Sequence, residues 1–306
     1  MEPLHPERLF HDLGDWPEAM RNYAALGATE TRTVGAGGHG QTTLMFNPAR
    51  VRSTAAKVDA ASVSLRPCFL CRSNRPKEQR SMAWRTYEVL VNPYPIFRRH
   101  LTIASKSHEP QTLANRMGDM ADLAMSLPGY AVFYNGGKCG ASAPDHLHFQ
   151  AADELAHSTV LDAILSERGK RIAPAEEFEA IYASDGTGRL AYHFSASDGA
   201  TAQKAIERLM SVRRMDCDMM NVAARRCGDA ERVDIVVVPR RAFRPWQYDA
   251  DGDRRILVSP ATVEVLGVFV LPRREDYEKI SEADVDNIVG QVCYATDDEL
   301  IAPATK

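Results

Sequence analysis

Nothing in these 306 residues approaches the roughly 18 consecutive apolar positions of a membrane-spanning helix. An excess of positive charge is missing too: 37 Lys and Arg stand against 41 Asp and Glu, a net charge of -4. That argues against a general binder of nucleic acid or membrane surfaces. It leaves room for an anionic small substrate held by a local Arg or Lys cluster. The opening residues, MEPLHPERLFHDLGDW, lack the basic start, apolar middle and small-residue cleavage site of a secretory signal, so the expected location is cytoplasmic. Cysteine is scarce, at Cys68, Cys71, Cys139, Cys217, Cys227 and Cys293. In a reducing compartment, a close pair among them points to metal or redox chemistry before a disulfide. What remains is ordinary globular composition, 44% hydrophobic and 25% charged, enough for one large core or two modest ones.

The chain reads as α+β with mainly antiparallel sheet. Strands are expected at 31–34, 42–46, 87–92, 101–104, 130–134, 146–151, 191–195, 219–223, 234–238 and 264–271. Helices are expected at 15–27, 111–127, 159–168, 200–212 and 282–292. The run Gly35-Ala36-Gly37-Gly38-His39-Gly40 fits G-x-G-x-x-G. A dinucleotide loop must open a helix, however, and the residues after it are β-prone, so the run reads as a hairpin turn. A break is expected at Ala183-Ser184-Asp185-Gly186-Thr187-Gly188.

The chemistry concentrates in Asp145-His146-Leu147-His148-Phe149-Gln150. On a strand, alternate side chains share a face, so His146, His148 and Gln150 would line one side while Leu147 and Phe149 enter the core. Upstream lies Asn135-Gly136-Gly137-Lys138-Cys139-Gly140-Ala141-Ser142, rich in small residues. Such a loop lets backbone N–H groups approach a phosphate, and Asn135 and Ser142 add side-chain hydrogen bonds. A neutral imidazole is a good nucleophile near pH 7 and can take up a phosphoryl group covalently. Gln150 can donate to a non-bridging oxygen of that group without competing as a nucleophile. Cys139, with no base assigned to it, reads as structural.

With these motifs the sequence resembles the transferase branch of the histidine-triad superfamily, the group of galactose-1-phosphate uridylyltransferase, diadenosine tetraphosphate phosphorylase and GDP-hexose phosphorylase. The resemblance rests on Asn135, Gly137, Gly140, Ala141, Ser142 and H-x-H-x-Q at His146, His148 and Gln150. It extends over about residues 45–151, and Phe46-Asn47-Pro48-Ala49-Arg50 and Asn92-Pro93-Tyr94-Pro95 are similar to an uncharacterised bacterial group within that branch. It implies His148 as the nucleophile, with Asn47 and Arg50 at nucleotide-contacting positions. It also implies two histidine-triad-like halves; the break at 183–188 divides them into residues 1–185, carrying the chemistry, and 186–306, completing the fold. The implied partners are a nucleoside diphosphate sugar or dinucleoside polyphosphate and inorganic phosphate, and homodimers are common in the group.

Cys68-x-x-Cys71 supplies two ligands where a structural zinc needs four. His100, His108 and His146 are the available partners. The resemblance implies Cys68, Cys71, His108 and His146 as a structural zinc site. Thioredoxin-like chemistry is not expected, because the pair, flanked by Pro67 and Arg72, lacks a βαβ setting. Arg240, Arg241 and Arg244, beside Pro245-Trp246, form a basic and aromatic cluster, either an acceptor-binding patch or a solvated charged face. The expected activity is nucleotidyl transfer or phosphorolysis through nucleotidyl-His148. The alternatives are a hydrolase with water as acceptor and a zinc-stabilised nucleotide-binding protein without turnover.

Overall fold

A computed structural model describes residues 3–11, 13–35, 40–54, 58–167, 169–173, 180–228 and 231–302. Its strands, in chain order, are β1 (Glu30–Val34), β2 (Thr42–Phe46), β3 (Ser81–Trp84), β4 (Tyr87–Val91), β5 (His100–Ser105), β6 (Ala131–Asn135) and β7 (His148–Ala152). They continue with β8 (Lys170–Ala173), β9 (Ile181–Ser184), β10 (Ala191–Ala196), β11 (Met220–Arg226), β12 (Val233–Pro239) and β13 (Val268–Leu271). Ten of them make one antiparallel sheet, ordered β3-β4-β5-β7-β6-β11-β12-β10-β9-β8. Its two ends have the same topology. In each, a hairpin (β4-β5 or β9-β10) leads through a helix, Met117–Ser126 or Gly199–Arg213, to two strands, and the later of the two inserts beside the hairpin. The ends meet where β6 pairs with β11, Phe133 opposite Ala223.

The period-two pattern explains how this sheet is buried on both faces. On β6, Val132 and Tyr134 join one hydrophobic cluster with the helices Met117–Ser126 and Gly199–Arg213, while Ala131 and Phe133 join a second. On β12, Ile235 and Val237 enter the first cluster and Val236 and Val238 the second, with residues of the helices Thr159–Ser166 and Glu282–Val292. The small sheet β1-β2-β13 also feeds the second cluster through Leu44 and Phe269, with β13 parallel to β2. No helix among the described residues is long and apolar enough to cross a membrane.

The β1-β2 hairpin forms with Val34 opposite Thr42, so the glycine run joins two strands and opens no helix; its residues 36–39 lie outside the described ones. Three expectations need correction. The helix expected from Gln111 starts at Met117, because the preceding segment turns, with Asn115 at φ 58°. The strand expected over 264–271 begins at Val268. Residues Thr262–Val265 form a short helix, its start held by the Glu264 carboxylate accepting from the Ala261 N–H at 2.9 Å, and Gly267 (φ 90°) turns the chain into β13. The strand expected from His146 begins at His148, because residues 143–146 make a turn closed by the His146 N–H donating to the Ala143 carbonyl at 3.2 Å.

Candidate active site

Strand β7 sends Phe149 and Ala151 into the helix-covered cluster and His148 and Gln150 to the other face. There they line a cavity of about 660 Å³ together with Asn135, Gly140, Ala141, Ser142 and Arg50. That volume suits a small-molecule ligand. His148 is 4% exposed. Its Nδ1 donates to the His146 carbonyl at 2.8 Å; a carbonyl only accepts, so the ring proton sits on Nδ1 and the Nε2 lone pair is left for chemistry. Burial pushes this imidazole down to about 4, against the opposing pull of that backbone bond.

His146 leaves the shared face that the strand pattern predicts. It turns to Cys68, Cys71 and His108, and the four donor atoms lie within 4.8 Å of one another. Cys68 Sγ stands 3.3 Å from His146 Nδ1, and Cys71 Sγ 3.3 Å from His108 Nδ1. His146 Nε2 donates to the Ser105 carbonyl at 2.8 Å, which fixes the tautomer and leaves Nδ1 as a lone-pair donor toward the cluster. Burial works to raise the Cys68 thiol, but bonds from His146 and backbone amides outweigh it and bring the thiol to about 7. Two thiols and two imidazoles in a tight cluster fit a tetrahedral zinc ion.

The small-residue loop is shaped by close packing. A Cβ on Gly136 would meet the Asp218 carbonyl oxygen at 2.3 Å. Gly140, at φ 127°, lies against the Ala261 methyl, which a Cβ there would meet at 2.6 Å. Asn135 Oδ1 accepts from the Thr262 N–H at 2.9 Å and the Thr262 hydroxyl at 2.7 Å, leaving its amide nitrogen as the donor on the cavity side. Ser142 is exposed, and its carbonyl accepts from Arg66 at 2.9 Å. Cys139 is fully buried and burial pushes its thiol up to about 11, so it is no nucleophile.

Arg50 reaches the cavity, donating through Nη1 to the Tyr94 carbonyl at 2.5 Å, while its buried Nε has no partner among the described residues. Burial lowers this guanidinium to about 10 and raises the nearby Glu264 carboxyl to about 7. Asn47 and Gly137 are not among the cavity-lining residues. Asn47 is 1% exposed and its amide reaches the Pro95 carbonyl at 3.5 Å, whereas Gly137 packs on Gln111. The basic cluster divides three ways. Arg240 is buried and donates to the carbonyls of Val292, Pro260 and Cys139; Arg241 pairs with Glu299; Arg244 lines the cavity, 3.9 Å over the Tyr248 ring.

Sequence reading passed over Gln111. Its buried amide accepts from the His148 N–H at 2.8 Å and donates to the carbonyls of His148 at 3.0 Å and Asn135 at 2.9 Å. The β6-β7 pairing runs only to Phe133 opposite Gln150, and beyond it Gln111 joins the separating strands in place of a ladder. Gln111→Leu leaves the His148 N–H without a partner, at about 1–3 kcal/mol for each orphaned group. The expected outcome is a melting temperature lowered by roughly 5 °C or more. An unchanged melt would show that the bridge carries no weight.

The fold has a counterpart among solved structures. The chain superimposes on yeast Ap4A phosphorylase Apa2 with a TM-score of 0.57 at 16% identity, over 91% of this chain and 94% of that one. It has the α+β fold of that phosphorylase. The phosphorylase in complex with Ap4A gives a TM-score of 0.56 at 17% identity, over 91% and 96% of the two chains; in complex with AMP it gives 0.55 at 14%, over the same shares. Residues 9–153, which include H-x-H-x-Q and the cysteine pair, match a family described as a domain of unknown function, DUF4922. No curated protein sequence matches the chain.

Proposed function

We propose that the protein is a nucleotidyltransferase of the phosphorylase type, acting on a nucleoside diphosphate sugar or a dinucleoside polyphosphate through nucleotidyl-His148. The observation that carries this reading is His148 itself, its Nδ1–H tied to the backbone and its Nε2 left facing a cavity that also holds Gln150 and Arg50. His148 Nε2 attacks the α-phosphorus, forming a P–N bond. The bond to the leaving sugar phosphate or nucleotide breaks, and its electron pair stays on the leaving oxygen. Inorganic phosphate then attacks the same phosphorus, the P–N bond breaks, and free His148 and a nucleotide longer by one phosphate result. Gln150, Ser142 and the Asn135 amide serve the phosphoryl oxygens, and Arg50, with its unpartnered Nε, serves the polyphosphate charge. Complexes of the yeast phosphorylase with Ap4A and AMP support a nucleotide as ligand for this fold.

Zinc on Cys68, Cys71, His108 and His146 is structural in this reading, since four protein ligands leave no open position. The first half alone carries the chemistry, because β12 presents Val236 and Val238 on the same face of the sheet as His148 and Gln150. Strands β8 and β9 lie at the far edge with the second half, so we place the division near residue 169, ahead of the 185/186 boundary expected from loop composition.

Intact-protein mass spectrometry tests the mechanism directly. Brief incubation without phosphate with diadenosine tetraphosphate or GDP-, UDP- or ADP-sugars should add the mass of one nucleoside monophosphate. Phosphate should then remove it and release the corresponding nucleoside diphosphate. Release of nucleoside monophosphate at equal rates with and without phosphate would identify a hydrolase. Tight binding with no adduct from any nucleotide would favour a non-catalytic binder.

A further inference from the structure

His100 has no part in the mechanism above, yet it is completely buried and both of its ring nitrogens are bonded. Nδ1 lies 3.1 Å from the Ile96 backbone nitrogen. A peptide N–H only donates, so Nδ1 must accept and the ring proton must sit on Nε2. Nε2 lies 3.0 Å from Gln150 Oε1, which therefore receives the proton. Asn92 independently fixes the same end. Its Oδ1 accepts from the Tyr94 N–H at 2.9 Å, so its Nδ2 is the end available to Gln150, 3.4 Å from the same Oε1. Flipping the Gln150 amide would set its NH2 against two N–H donors. The sheet register brings these groups together: Thr102 lies opposite Gln150, and His100, two residues away, shares that face of β5.

We propose that His100 is a positioning residue that locks the Gln150 amide with its oxygen inward and its Nε2–H2 toward the transferring phosphate. The proposal rests on the reading that Gln150 serves a phosphoryl group. The chain of donors then runs from Ile96 N–H to His100, from His100 to Gln150, and from Gln150 to a phosphate oxygen. An amide free to rotate would present its own oxygen to the phosphate in one of its two orientations, which repels the developing charge instead of stabilising it. Burial, helped by the charge of Arg50, pushes the His100 imidazole down to about 3, so no second proton disturbs the Ile96 bond near neutral pH. Small residues and a histidine pair announce the loop and the nucleophile in the sequence. The lock has no such signature, because its members are 4, 8 and 50 positions from His100.

Two substitutions separate positioning from packing. His100→Phe keeps a ring between Phe97 and Phe133, whose centroids lie 6.0 and 5.9 Å away, and removes both hydrogen bonds. His100→Gln keeps one acceptor for Ile96 and one donor for Gln150. With diadenosine tetraphosphate or a GDP-, UDP- or ADP-sugar as substrate, His100→Phe should lower kcat roughly ten- to a hundredfold. KM should stay within about twofold, and His100→Gln should recover most of the loss. In a Gln150→Ala background, His100→Phe should cost nothing further, because the group it positions is gone. Additive losses, a change confined to KM, or equal damage from Gln and Phe would overturn the proposal. Nitrogen-15 NMR of the wild type reads the arrangement without turnover: Nε2 should be protonated and Nδ1 bare, and the opposite tautomer would sink the lock. The expected tautomer in a protein that processes none of these nucleotides would sustain the lock and count against nucleotidyl transfer.

Discussion

Replacing His148 with asparagine should abolish the nucleotidyl adduct and lower kcat/KM by about four orders of magnitude or more, the scale on which loss of a covalent nucleophile is felt. At about 1.4 kcal/mol per factor of ten, that is about 5–6 kcal/mol of transition-state stabilisation. Asparagine is the informative choice, because its Nδ2 can donate to the His146 carbonyl as His148 Nδ1 does, at 2.8 Å, while nothing replaces Nε2. The Gln111 bridge contacts only the backbone of residue 148, so it is unaffected. No other described histidine lines the cavity, and Cys139 is buried with its thiol pushed up. Steady-state kinetics with any nucleotide the wild type cleaves decides the matter. A variant retaining wild-type turnover would end the covalent reading.

Purified protein should carry one zinc ion per chain, and the double variant Cys68→Ser, Cys71→Ser should lose it and melt 10 °C or more below the wild type. Structural zinc in small domains contributes about 10–16 kcal/mol. Even about 5 kcal/mol of that, at roughly 2–4 °C per kcal/mol for a large domain, gives a shift of this size. The residues around the cluster depend on it. Cys68 and Cys71 turn tightly, with the Cys71 N–H on the Cys68 carbonyl at 3.2 Å and the Asn74 amide on that same carbonyl at 2.9 Å, and few apolar contacts accompany them. Activity should fall as well, because the carbonyl that holds the His148 proton belongs to His146, a zinc ligand in this reading. Metal analysis by mass spectrometry and a thermal melt measure both effects. A metal-free protein whose melt ignores the double substitution would remove zinc from the account.

Local pattern made much of this site legible. The alternation in Leu147-His148-Phe149-Gln150 is a period-two signal that needs no tertiary information, and it assigned the core face and the cavity face of β7. Four cysteine and histidine positions could be matched through resemblance and do gather in space. His146 escaped the strand pattern because a turn at 143–146 and cysteine and histidine side chains up to 78 positions away decide where it points. Thr262-Val263-Glu264-Val265 reads as strand from its β-branched residues, but a single Glu264 carboxylate on the Ala261 N–H starts a helix there. The Gln111 side chain makes its bonds 24 and 37 positions away, so an isolated glutamine after a proline gave no warning.

The C-terminal segment that braces Asn135 through Thr262 also brings Arg244, Ser259 and Glu264 to the cavity wall. Every group given a part in the proposed reaction has been made once translation passes β7, yet this part of the cavity wall has not. The cavity is therefore complete only when the stretch from Arg244 to Val270 has been made, long after β7.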